Sequence, residues 1–516
     1  MKKHKPIIIK ELSDEPFIDI ALDTIDINKQ ILIFVGSKRA AESSAEKISK
    51  KIKETTPHLK ELSEKILNVL QRPTKQCERL AKCIEKGIAF HHAGLASEQR
   101  ELIEDNFRAG KVKVICATPT LAAGVDLPAF RTIIKDLKRY GGNWGMDWIP
   151  VLEYIQMAGR AGRPGKEDYG EAICIAQTEG ERDDIYEKYV LGVPEPIYSK
   201  LAVEPVLRTY ILSLIATDIV RSQKEIYAFF SKTFWAYQFE DLSKLKRIIV
   251  KMLNLLEEFE FIKLKKEEFV SANEYDSELI EATLLGKRVA ELYIDPVTAN
   301  NIVIALNKKD KISTFSLLHL ISSQLEIRPF LKAKVAEVDK IRERLLKEEL
   351  VIDEPVMYDP DYGEFINSVK TALFFDDWIN EKDEEELLEK YSIRPGEIKV
   401  KLDNADWLLY AAEELAKLMP AHEAIKEILK LRIRLKNGVR EELLPLLQLK
   451  DIGRVRARKL FANKIKDIKD VKSADITVLA QIVGKKIAAN VKQQVGEVVE
   501  QVPEGKRKGQ ISLLDY

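Results

Sequence analysis

"KVKVICATPTLAAGVDLPA", residues 111–129, decides the fold. Its first half is rich in β-branched and apolar residues and reads as a buried strand. The strand runs straight into Thr118, Pro119 and Thr120, then a small-residue stretch with Gly124 and Asp126. Two hydroxyls and a glycine that admits close backbone approach thus follow a strand directly. Asp126 can accept from a ribose hydroxyl or anchor an arginine. The pattern repeats outward. "ILIFVGS" (31–37), "RTIIKDL" (131–137) and "GEAICIAQ" (170–177) are further strand runs, and "AAESSAEKISKKI" (40–52) is helical. Strands alternating with helices predict a parallel α/β sheet with crossovers, whose ligands sit at the carboxyl ends of strands.

From about residue 191 the texture turns helical. "EPVLRTYILSLIATDIV" and "LSKLKRIIVKMLNLLEEFEFI" have apolar spacing near 3.6. "FIKLKKEEFVSA" then reads as a short hairpin, and helices with a small hairpin suggest a winged helix. The acidic "DDWINEKDEEELLEKY" (376–391) reads as a solvated helix pair with a loop. A chain of 516 residues holds three or four domains of roughly 100–200 residues. The expected divisions are 1–190 (α/β), 191–300 (winged helix), 301–430 (helical) and 431–516 (a small basic helical module).

Net charge is zero, but unevenly spread. Residues 431–516 carry 19 basic against 10 acidic residues, and the rest carry 64 against 73. A basic terminal module suggests a polyanion. The four cysteines, Cys77, Cys83, Cys116 and Cys174, form no CxxC pair. That pattern implies no disulfide framework and no zinc site, hence a reducing, cytoplasmic setting. No run approaches the roughly 20 apolar residues of a membrane helix, and no metal-ligand spacing is present.

"QMAGRAGRPG" (156–165) places two arginines three residues apart. At helical spacing Gln156, Arg160 and Arg163 would share one face. A guanidinium is a planar, permanently charged fork suited to phosphate. "FHHAGL" (90–95) ends another short apolar run; neither histidine reads as catalytic.

"ILIFVGSKRAAES", "FHHAGL", "ATPTLAAGVDLPA" and "QMAGRAGRPG", in this order, resemble the second RecA-like domain of superfamily-two helicases. The long forms of the last two are similar to the Ski-like branch and, within it, to the archaeal Hjm-type DNA repair helicases. The resemblance runs from end to end. It implies an α/β RecA-like domain followed by mostly α-helical domains: winged helix, helical ratchet bundle and helix-hairpin-helix module. It implies ATP-dependent unwinding of forked DNA with 3′-to-5′ polarity in replication-fork repair. Gln156, Arg160 and Arg163 would face the γ-phosphate, with Arg163 as the arginine finger. Gly124 and Asp126 would contact the nucleotide, although the family commonly has Asn at the latter. Thr118 and Thr120 would touch the DNA backbone, and Ser37 and Lys38 would lie near its path.

ATP binding needs a phosphate cradle such as GxxxxGK[ST], and no Gly-Lys-Ser or Gly-Lys-Thr occurs in the sequence. A DExH box is also absent. In the resembled family both belong to a first RecA-like domain preceding the region of residue 31. The chain is therefore expected to correspond to the C-terminal part of a helicase. ATP and Mg²⁺ would be bound mainly by that first domain, in cis or on a separate chain, and this chain alone would not hydrolyse ATP. The competing expectations are an ATP-independent DNA-binding remnant or subunit, and an RNA helicase of the same branch.

Further stretches point to DNA. In "DLKRYGGNWGMDWIPVLEY" (136–154), Gly141-Gly142-Asn143 is a turn between strand-capable flanks. Tyr140, Trp144 and Trp148 are expected at its tip, where the family has a strand-separating hairpin. "RPGEIKVKLDNADWLLYAAEELAKL" (394–418) reads as a long helix with Trp407 placed to stack on a base. The family's ratchet helix carries such a tryptophan with an arginine two turns earlier; here that position is Val400. "LKDIGRVRARKLFANKI" (449–465) resembles a helix-hairpin-helix, with Gly453 in the hairpin and Arg454, Arg456 and Arg458 around a phosphate. "AQIVGKKIAANV" (480–491) repeats this weakly. Gln510, Leu513 and Tyr516 of the tail are similar to a sliding-clamp (PCNA) box.

Overall fold

A computed structural model describes residues 7–53, 55–70, 73–140, 146–163, 165, 167–201, 203–239, 242–265, 279–308 and 312–497. They form two compact units. The first is Met1–Ile197 with Ile393–Lys399, the second Tyr198–Ser392 with Val400–Tyr516.

The first unit is built on a parallel sheet in the order β2-β3-β1-β4-β7. Its strands are β1 (Ile31–Phe34), β2 (Ile88–His91), β3 (Val114–Ala117), β4 (Arg131–Ile134) and β7 (Glu171–Cys174). The four runs expected as strands are all present. Every residue of β1, β2, β3 and β4 is buried, which is why these runs are apolar rather than alternating. Ile31 pairs with Val114 on one side and Arg131 on the other, which sets one register across the sheet. Arg131 is a charged residue within these buried strands. Its guanidinium is held by Asp23, by Glu171 and by Thr24 at 3.0 Å. Helices Lys38–Ser49, Lys75–Ile84 and Ser97–Arg108 connect the strands. Ser37 starts the first of them by accepting a hydrogen bond from the Ala40 N–H.

β5 (Lys138–Tyr140) and β6 (Met146–Trp148) form the expected antiparallel hairpin. Trp144 and the glycines lie outside the described residues. Trp148 is not at the tip. It pairs with Lys138 at the base and packs edge-on against Tyr189, with the Lys138 Nζ 4.0 Å from its ring centre. Side chains alternate along a strand, and here the alternation turns Trp148 toward the apolar body of the unit.

The second unit opens with helices Glu204–Ala216, Gln223–Phe230 and Leu242–Glu258, and a two-stranded sheet. Its strands are β8 (Ile262–Lys265) and β9 (Leu279–Ala282). The strand paired with Ile262–Lys265 is Leu279–Ala282; residues 266–272 of the expected short hairpin lie outside the described residues. Among the described residues of 296–437 every regular element is helical, and no strand occurs. Residues 439–491 hold a small core of their own, including Leu443, Ile452, Leu460, Leu479 and Val491. The acidic 376–391 stretch does form a helix end, a turn and a helix, Glu384–Tyr391, but Leu387 and Tyr391 are buried. Among the described residues no helix is long and apolar enough to cross a membrane.

His319 is fully buried in the second unit, beside Ser368 and edge-on to Phe365. Burial lowers its pKa to about 4. A base whose folded pKa is depressed leaves the unfolded chain holding the extra proton. Stability is then complete above the unfolded value of about 6.5 and falls as pH drops toward 4, by about 3 kcal/mol in all. Denaturant titrations across that window should show this loss, and His319→Asn should remove it. An equal pH dependence in both proteins would refute the assignment.

Candidate functional site

The first unit gathers its motif residues at two opposite edges of the sheet. The arginine stretch is at the amino edge. Helix Val151–Ala158 runs back against the strand direction and ends before the arginines. The expectation that Gln156, Arg160 and Arg163 share one helical face is therefore corrected. Only Gln156 is helical, and it is exposed. Residues 160–162 instead lie along the start of β4. The Ala129 N–H donates to the Arg160 carbonyl at 2.9 Å, and the Gly162 N–H to the Ala129 carbonyl at 2.6 Å. Gly162 has φ +93°, and a Cβ on Gly170 would fall 2.1 Å from the Gly162 nitrogen. Glycine is required at both positions because two backbones cross in contact.

Arg160 donates from Nε to the Ala122 carbonyl at 3.1 Å and from Nη1 to Asp126 at 3.4 Å. Of the two alternatives for Asp126, an arginine anchor is what this arrangement contains; its carboxylate is otherwise exposed. Gly124 stands in open space. Arg163 donates to the Gln30 Oε1 at 2.6 Å and to Glu167. Gln30 is itself pinned, its Nε2 donating to the Phe107 and Val112 carbonyls at 2.6 and 2.8 Å. Glu167 is buried, and burial alone would raise its pKa. The hydrogen bond and charge of Arg163, with Lys29 beside it, outweigh burial and hold the carboxyl below its usual range. The Arg163 Nε is buried without a hydrogen-bond partner among the described residues. A charged donor in that condition is costly until an acceptor reaches it.

The hydroxyl residues are at the carboxyl edge. Thr118 follows β3, and its hydroxyl lies 2.9 Å from that of Thr120. Ser37 and Lys38 follow β1, and the Lys38 Nζ pairs with Glu397. His91 ends β2, His92 follows it, and both are buried. The 118–129 segment starts at this edge and, through Asp126 and Ala129, ends at the arginines. This segment, which includes the short helix Thr120–Gly124, thus joins the two edges; Ser37, Lys38, the histidines and the threonines follow strand ends as expected, while the arginine stretch lies in a loop at the other edge. A crossover helix antiparallel to the strands must deliver its last residues to the amino edge, which a rule about strand ends does not register.

In the second unit Trp407 is half-buried, and its indole N–H donates to the Leu292 carbonyl at 3.1 Å. Val400 is exposed, while Lys401 is buried with its Nζ on the Ile327 and Pro329 carbonyls. Gly453 and Gly484 begin helices Arg454–Ala462 and Lys485–Gln494. Between these helices lies a cleft of 640 Å³ lined by Asp451, Arg456, Lys486, Asn490 and Gln493. Arg456 is exposed. Arg458 is tied to Glu381 and Glu442 at 2.6 and 2.7 Å, and Arg454 lies over the Trp378 ring. The acidic turn at 381–382 thus serves as a brace for two of the three arginines. Gln510, Leu513 and Tyr516 lie outside the described residues. Sequence reasoning missed Gln30, Glu167, Glu42 and Glu397. Each sits in an ordinary helical or loop context that carries no signal.

Family models match four parts of the chain. They are the helicase conserved C-terminal domain (residues 50–165), a helix-turn-helix domain (170–263), domain 4 of archaeal helicases (315–438) and a SAM-like helix-hairpin-helix tandem (443–497). The chain is 39% identical over 519 residues to the ATP-dependent DNA helicase Hel308 of Methanocella arvoryzae, covering 97% of this chain and 67% of that one. It is 39% identical over 507 residues to Hel308 of Pyrococcus horikoshii (96% and 68%) and 38% over 519 to that of Methanococcus vannielii (93% and 68%). The chain spans about two thirds of the length of these relatives.

Proposed function

We propose, from the premise that the chain belongs to the Hel308 family of ATP-dependent DNA helicases, that it couples ATP hydrolysis to unwinding of forked DNA with 3′-to-5′ polarity in cytoplasmic replication-fork repair. The observation that carries this reading is the 118–129 loop, whose threonines stand at one edge of the sheet and whose Asp126 holds Arg160 at the other. A single segment that touches both edges lets a change at the nucleotide side displace the DNA side.

ATP fits the amino edge. The Arg163 Nε is a charged donor without a partner among the described residues, and Gly124 leaves room for approach. When bound, ATP supplies a triphosphate whose transferring group gathers negative charge. Arg163 would leave Gln30 and Glu167 to meet that charge, and Arg160 would stay braced by Ala122 and Asp126. Gln156, exposed on its helix, would orient the attacking water. Magnesium finds no group of three metal-ligating side chains among the described residues. It would be held chiefly by a domain bearing the phosphate cradle, in cis or on a separate chain. The carboxyl-edge residues Ser37, Lys38, Thr118 and Thr120 would follow one DNA strand. Trp144 would help part the duplex, and Trp407 would stack on a base. The cleft at Arg456 would hold a phosphate, and the tail would dock on a sliding clamp through Gln510, Leu513 and Tyr516.

The lack of any GxxxxGK[ST] in these 516 residues favours one second reading, an ATP-independent DNA-binding subunit. Steady-state ATP hydrolysis with and without single-stranded DNA separates the two. This chain by itself should bind DNA without turnover, and addition of the cradle domain should bring DNA-stimulated hydrolysis and displacement on forks with a 3′ loading strand. Failure of the added domain to restore turnover would leave the binding-subunit reading standing. Displacement only from 5′ loading strands would refute the polarity.

A further inference from the structure

Glu42, on helix Lys38–Ser49, has none of the roles above, yet four side chains converge on it. Its Oε1 accepts from the His92 Nε2 at 3.2 Å, the Gln76 Nε2 at 2.8 Å and the Arg394 Nε at 3.1 Å; its Oε2 accepts from the Arg79 Nη1 at 2.8 Å. The His92 Nδ1 accepts the Gly94 N–H at 3.1 Å, so its Nε2 bears the ring proton and donates to Glu42. The carboxylate is 5% exposed. Burial pushes its pKa up, but the hydrogen bonds of His92 and Gln76 and the charge of Arg394 prevail and hold it well below the carboxylate range. It is an anion at any pH at which the protein works.

Arg394 comes from 352 residues further along the chain. It immediately precedes helix Pro395–Lys417. The fit around it leaves no slack. The Gly396 N–H donates to the Gly94 carbonyl at 3.1 Å. A Cβ on Gly94 would fall 2.4 Å from the Arg394 Cδ. One on Gly396 would fall 2.4 and 2.6 Å from the carbonyl oxygens of Ala93 and Leu95, backbone atoms that cannot turn aside. Glu397 completes the contact by accepting the Arg394 N–H at 2.9 Å and pairing with Lys38. Residues 393–399 therefore belong to the first unit, while the same helix from Val400 onward belongs to the second.

We propose that Glu42 and Arg394 are positioning residues, a latch that forces the 395–417 helix to move with the loop 90–95 and hence with the RecA-like sheet. An α-helix is stiff along its axis, so a displacement imposed on its first turn is carried to Trp407, three turns on. The latch turns a movement of the sheet into a movement of the DNA-tracking helix. This rests on the helicase reading above. It predicts that breaking the latch uncouples hydrolysis from strand separation instead of lowering both.

Arg394→Met is the variant of choice. Arg394 is a fifth exposed, and Glu42 keeps Arg79, Gln76 and His92 without it. In the 516-residue chain, hydrogen exchange at amides 393–399 should quicken while that of β1 and β3 stays as in the parent. In the ATP-hydrolysing enzyme that includes this chain, DNA-stimulated hydrolysis should stay within about twofold and base pairs separated per ATP should fall at least about tenfold. Arg394→Lys, which keeps the charge but not the planar fork, should recover part of that ratio. Unchanged exchange at 393–399, or hydrolysis and separation falling together, or neither falling, overturns the latch. A parent enzyme without DNA-stimulated turnover overturns the helicase reading and the latch with it; a parent with turnover and variants of unchanged ratio overturns the latch alone.

Discussion

Arg163→Ala is expected to lower ATP turnover by about 10³–10⁵-fold in the helicase that includes this chain, the range an arginine finger supplies to phosphoryl transfer. DNA affinity should stay near that of the parent, because Arg163 stands at the amino edge of the sheet and Thr118 and Thr120, the proposed DNA contacts, at the other. A second effect accompanies the loss of rate. The Glu167 side chain is buried and takes a hydrogen bond from Arg163 and, at 3.3 Å, an ion pair from Lys29. Removing Arg163 leaves that carboxylate with Lys29 alone and lowers stability as well as rate. Arg163→Lys separates the two effects. It keeps a positive charge near Glu167 but cannot present the planar fork, so stability should hold while turnover still collapses. Phosphate release, DNA binding and thermal unfolding measured on all three proteins decide the matter. Turnover within tenfold of the parent, or a loss of DNA affinity that matches the loss of rate, would remove the finger assignment.

The second large effect is expected at the cleft between the two glycine-started helices. Arg456 and Lys486 line it, and Arg456 is exposed, with its Nη1 on the Asp451 carbonyl at 2.9 Å. Each duplex phosphate deprived of its cationic partner should flatten the plot of log affinity against log salt by about 0.9. Arg456→Ala with Lys486→Ala should therefore make the slope shallower by about 2 and weaken binding at low salt on the order of tenfold or more. Arg458→Ala should behave differently. Arg458 is committed to Glu381 and Glu442, so its loss should leave the slope unchanged and lower stability on the order of 1 kcal/mol. Titrations of a duplex at several salt concentrations test both. A slope that changes with Arg458 and not with Arg456 would reverse the assignment.

The difference between these arginines shows where sequence reasoning stops. "RVRAR" marks three arginines as phosphate partners by spacing and charge. What separates them is an acidic turn more than 70 residues away, which braces two and leaves Arg456 open. Similarly, Gln156, Arg160 and Arg163 have helical spacing, but the helix ends at Ala158 and Gly162, at φ +93°, lets the chain run against Ala129. Proximity to a turn suggests a hairpin tip for Trp148. Pairing with Lys138 sets it at the base.

The sequence alone determined four of the five strands of the parallel sheet, the motif order, the hairpin after β4, the start of the 395–417 helix and the family. Each depends on local signals: apolar runs that must be buried, turn residues of fixed conformation, a proline at a helix start, and motifs read along one stretch. Tertiary structure alone decided that Arg160 and Arg163 stand at one edge of the sheet and the Thr118 and Thr120 hydroxyls at the other. It alone brought Gln30 to Arg163, 133 residues away, and Arg394 to Glu42, 352 away. Such contacts are chosen by packing and by the need of each buried charge for a partner, and no local pattern in the chain encodes them.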